Sequence, residues 1–117
     1  MGKIYDEHTG RRVLSNRGEK VTIAKDGKRT VEKFTDKPDA ALATIKAGGW
    51  NEYRIVARGH NLRVFINGVK TSDVTDHQEG EFDLSGLLAV QLHSGPPMKV
   101  QFKDIKLKRL GKAAQKQ

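Results

Sequence analysis

Two polar side chains set two residues apart in an apolar segment are the first in this chain to suggest chemistry. Between Leu87 and His93, Leu88, Val90 and Leu92 alternate with Ala89, Gln91 and His93. On an extended backbone Gln91 and His93 therefore project from one face and the aliphatic residues from the other. An imidazole titrates near neutrality and suits a general base or a metal ligand, so His93 is the first candidate for a catalytic role. The Gln91 amide offers both donor and acceptor beside it. Near the start, Tyr5, Asp6 and Glu7 place an aromatic ring next to two carboxylates. Alternation puts Tyr5 and Glu7 on one side and Asp6 on the other. Either acid can act as a base or bind a divalent ion, with Glu7 the preferred catalytic carboxylate. Trp50, the only tryptophan, reads either as a stacking platform or as a core anchor at a strand start, and the second is the plainer reading. For the others, the plainer reading is a solvated polar group.

Other constellations fall away. His8, His60 and His77 sit on predicted turns or ends, and with them Asp73 and Asp76 could suggest a metal site, but all five read as solvated residues. No His-Glu-x-x-His helix or nucleophile elbow is present. Gly95-Pro96-Pro97 cannot present the successive amides of a phosphate loop. With no cysteine, disulfides and zinc–thiolate sites are excluded.

These residues need strands to position them, and the periodicity supplies strands. Lys20–Ala24 and Arg29–Phe34 flank Asp26-Gly27, a hairpin signal, with Val21 and Ile23 on one face and lysines suited to an exposed edge. Thr35–Lys46 is the one predicted helix, capped by Asp36, opened by Pro38 and stopped by Gly48-Gly49. Trp50–Arg58, Leu62–Ile66 and Val69–Val74 form a meander, its second turn at Asn67-Gly68. Leu87–His93 is a further strand. Met98–Leu110 is the last, and the spacing of three between Phe102 and Ile105 predicts a bulge near Lys103-Asp104. The fold class is all-β, an antiparallel sandwich with one short helix.

The length of 117 residues fits one domain. Lys and Arg number 22 against 14 Asp and Glu, a net charge of +8, which admits polyanions as partners. Aromatics are only 6% and fall mostly at core-phase positions, which argues against nucleic acid. No apolar run approaches a membrane span, and Met1 to Arg12 lacks the apolar stretch of a signal peptide. Residues 111–117 read as a disordered basic tail.

Four motifs occur in order: Ile4-Tyr5-Asp6-Glu7; Gly49 to Gly59 with its Trp-Asn-x-Tyr start, followed by Val64-Phe65-Ile66-Asn67-Gly68; Leu88 to Val100; and Phe102-Lys103-Asp104-Ile105. Together they resemble the 3-keto-disaccharide hydrolase domain family over roughly Gly2 to Leu110. The resemblance implies a concanavalin-like jelly roll. It covers the later part of that family's domain, so residues 1–110 are expected to be an incomplete sandwich whose exposed sheet edges could pair into a homo-oligomer. It also implies a carbohydrate substrate, a glycoside oxidised to a ketone at C3, cleaved with the help of a base. His93 and Glu7 would then be catalytic, while Gln91, Tyr5, Asp6 and Trp50 would bind sugar. The resemblance makes no cofactor certain, and a divalent metal ion is an option. Export, as to a bacterial periplasm, is implied by the resemblance alone. Two alternatives stay open: a non-catalytic lectin-like module and a basic polyanion-binding β domain.

Overall fold

The structure, a computed structural model, describes residues 3–6, 10–80 and 101–108. Its strands are β1 (Ile4–Asp6), β2 (Arg12–Ser15), β3 (Glu19–Ile23), β4 (Arg29–Lys33), β5 (Tyr53–Arg58), β6 (Asn61–Ile66) and β7 (Val69–Asp76). β1 and β2 form a two-stranded sheet, and the others form a sheet in the order β4-β3-β7-β6-β5. The protein is nearly all β, a sandwich of these two sheets.

Local chemistry makes the hairpins. Gly27 takes φ +89°, and Asp26 Oδ1 accepts the Lys28 amide at 3.0 Å, so the Asp-Gly turn closes β3 on β4. β4 lies at the sheet edge with all five residues exposed, as its lysine-rich hairpin predicts. β5, β6 and β7 make the expected antiparallel meander. The two halves join where β3 pairs with β7 in parallel, Val21 opposite Val74, in a sheet otherwise antiparallel.

Alternation on β3, β6 and β7 sends Val21, Ile23, Val64 and Val74 to one face. There they meet Ile4 and Leu14 of the small sheet to form the buried core. Each fully buried aliphatic side chain is worth roughly 1.5–3 kcal/mol.

Two expected elements differ, and one strand is new. The segment from Thr35 to Lys46 is a series of turns with a 3-10 helix only at Leu42–Thr44. Its bonds run mostly three residues back, as in Leu42 N–H to Asp39 O at 3.0 Å. Ala41 is its only buried residue, so no apolar stripe exists to hold an α-helix against the sheet. Residues 101–108 form no strand. Asp104 turns left-handed at φ +51°, where the bulge was expected, but no ladder forms with the described residues, and Leu107 is 85% exposed. Finally, β2 was not anticipated, since its four residues are too few to show a period. The predicted strand Leu87–His93 lies outside the described residues.

Candidate functional site

The sheet face opposite the core carries the polar chemistry. Register sets Glu32, Lys20, Asp73, Arg63 and Val56 in one row across the large sheet, and Thr30, Thr22, Thr75, Asn61 and Arg58 in the next. Asp73 is only 3% exposed. Its Oδ1 accepts from Asn61 Nδ2 at 2.8 Å and its Oδ2 from Lys70 Nζ at 3.1 Å. Arg63 Nε lies 3.7 Å from Oδ2, beyond a proper hydrogen bond. A buried carboxylate is tolerable because cations and donors surround it. Asp73 is therefore buried in its strand and not, as expected, solvated.

A second polar cluster ties the two sheets together. Arg11 donates to Asp6 Oδ2 from Nε at 3.0 Å and Nη2 at 2.8 Å. It donates to Asp76 at 3.1 and 2.7 Å, and to Gln78 Oε1 at 3.2 Å. The hydrogen bond to Asp76 chiefly raises the Arg11 pKa, against the lowering effect of burial. Burial pushes the Asp76 carboxyl up, but Arg11 and the Gln78 amide outweigh it and hold Asp76 below the ordinary carboxylate value. The His60 ring nitrogen Nδ1 is 2.8 Å from Asp76 O, and its ring centroid is 4.4 Å from that of His77. Asp76 and His60 are thus half or more buried, contrary to their reading as solvated residues.

The family described as 3-keto-alpha-glucoside-1,2-lyase-like domain matches residues 1–108. The chain belongs to this family. It is a family of carbohydrate-active hydrolases and lyases. Neither the curated proteins nor the solved structures give a match.

Within this lyase-like domain, the expected sugar-binding residues Tyr5, Asp6 and Trp50 fall on different elements. Tyr5 lies on the small sheet and is 53% exposed. Asp6 beside it is engaged by Arg11, so its carboxylate is not a ready metal ligand. No group of three or more His, Cys, Asp or Glu suited to a metal occurs among the described residues.

Trp50 sits in the loop ahead of β5. It is 51% exposed, so the core-anchor reading fails, and Lys103 Nζ lies 4.3 Å from its ring centroid. A frame of side-chain bonds fixes that loop. Asn67 Oδ1 accepts the Glu52 amide at 2.8 Å, and Asn67 Nδ2 donates to Thr44 O and Asn51 Oδ1, both at 3.0 Å. Asn51 in turn accepts the Lys46 amide at 2.8 Å. His93, Glu7 and Gln91 lie outside the described residues. Sequence reasoning missed Asp73 and Arg11; a carboxylate at the core-opposed phase of a strand with Asn61 and Arg63 on its neighbour was the signal available for Asp73.

Proposed function

We propose that this domain cleaves glycosides already oxidised at C3. The observation that carries the reading is the family match over residues 1–108. A ketone at C3 acidifies the C2 hydrogen. A base removes it, the electron pair forms the C1–C2 double bond, and the C1 substituent leaves with its bonding pair and takes up a proton. Addition of water across that double bond converts elimination into net hydrolysis. His93 and Glu7 are the proposed acid–base residues. Gln91 holds ring hydroxyls, and Tyr5 and Trp50 offer aromatic faces, an assignment supported by their exposure. Asp6 is a proposed sugar-binding residue whose carboxylate also accepts from Arg11. A concanavalin-like jelly roll and pairing of chains through sheet edges belong to the same reading. The site of this reading lies on the face that carries Gln91 and His93.

The test is product release from a 3-keto-disaccharide, followed for the wild type and for His93→Ala. The reading expects turnover by the wild type and a loss of about 100-fold or more in kcat for the variant, the usual scale of a general base. Equal rates remove His93 from the mechanism. Sugar binding by the wild type without turnover selects the lectin-like alternative.

A further inference from the structure

We propose that the Arg58–Arg63 side of the polar sheet face is a subsite for the carboxylate of an acidic saccharide, a uronate. The inference rests on the glycoside reading above and narrows its substrate class. Register sets Glu32 against Lys20, and Asp73 is held by Lys70 and Asn61. Arg58 enters no ion pair among the described residues, and Arg63 keeps only a 3.7 Å ion pair with Asp73, too long for a hydrogen bond. The Nε atoms of both are buried without a hydrogen-bond partner among the described residues. A buried donor without an acceptor is costly, and a guanidinium donor more so. Two such donors on one face mark a place where an acceptor is wanted.

Their placement fits a single anionic group. Arg58 pairs with Asn61 across β5 and β6, and Arg63 lies two residues further along β6. Diagonal neighbours of this kind stand about 7–8 Å apart at the backbone, within reach of one carboxylate for two long side chains. The planar guanidinium fork matches a carboxylate in a way an ammonium does not. The same row supplies what a sugar ring needs beyond charge. Asn61, Thr75 and Thr22 follow Arg58 across the sheet; the Asn61 amide nitrogen is spent on Asp73, Val74 and Thr75, which leaves the Thr22 hydroxyl and the Asn61 carbonyl oxygen as a strip suited to ring hydroxyls. A bare inorganic anion would make no use of that strip.

The experiment is calorimetric titration of the whole chain at fixed ionic strength with D-glucuronate, D-glucose and sulfate. Glucuronate is expected to bind at least tenfold more tightly than glucose or sulfate. That preference is expected to vanish in Arg58→Gln/Arg63→Gln and to weaken in Arg58→Lys/Arg63→Lys, which keeps the charge and loses the fork. Lys28→Gln at the hairpin tip removes the same kind of charge and should leave the preference intact. Equal binding of glucuronate and glucose, sulfate binding as tight as glucuronate, or an unchanged preference in the Gln pair overturns the proposal. If thermal melts show the Gln pair unfolded, the Lys pair decides, and a preference equal to the wild type overturns it. Glucuronate preference without turnover of any 3-keto-glycoside overturns the lyase reading and leaves the subsite. Turnover of a neutral 3-keto-disaccharide without glucuronate preference does the reverse.

Discussion

At Arg11 one guanidinium holds two carboxylates from opposite sheets, and its side chain is 12% exposed. The pairing has a pH signature. Asp76 is held below its ordinary value in the fold, so its ionised form favours the folded state. That contribution is complete above the unfolded carboxyl value near 3.9 and is lost as pH falls through the lower folded value. Thermal melts are expected to show wild-type stability dropping from about pH 5 downward. Asp76→Asn should be less stable at pH 7 by about 2 kcal/mol, the scale of a charge-assisted bond, and flatter in acid. A variant as acid-sensitive as the wild type would remove Asp76 from this account. The same residues show what a sequence can reveal at this scale. Asn67 announces itself, because Asn-Gly supplies the positive φ the hairpin requires, and Asn67 takes φ +49°. Asp73 and Asp76 do not, because their burial depends on β3 and Arg11, which lie far away in the chain.

Elements legible in the sequence are those whose signals are local. The Asp26-Gly27 hairpin and the meander from Tyr53 to Asp76 follow from turn residues and a period of two. The segment 35–46 misleads because alanines favour helix while nothing in their arrangement gives it a packing face. The loop from Thr44 to Glu52 is instead organised by Asn67, so one hairpin turn positions the loop that bears Trp50. Asn67→Gly separates the two roles, since glycine keeps the left-handed turn and removes the side-chain bonds. The expected outcome is a loss of about 1–2 kcal/mol in urea unfolding, with a shift in Trp50 fluorescence as the loop loosens. Unchanged emission would mean that the loop holds Trp50 by other contacts.

Across the molecule, two locally built units meet at one seam. The β3–β4 hairpin and the β5–β6–β7 meander each close over short turns, whereas the parallel pair β3–β7 and its flanking Ser72–Asn16 bond join residues as far as 56 apart in the chain. The seam was not legible in the sequence, because no local pattern says which strand will lie beside β3. It also bears on time. Hairpins form within microseconds, but a contact that must first close a long loop carries its entropy before any reward arrives. Docking of the hairpin onto the meander should therefore limit the folding rate, in milliseconds or slower. In stopped-flow refolding, Val21→Ala is expected to slow folding and to place more than about half of its stability loss on the folding limb. Loss confined to the unfolding limb would mean that the seam zips after the barrier. Until it closes, Val21, Ile23 and Val74 have no shared interior, and the chain is two hairpin-built halves in search of each other.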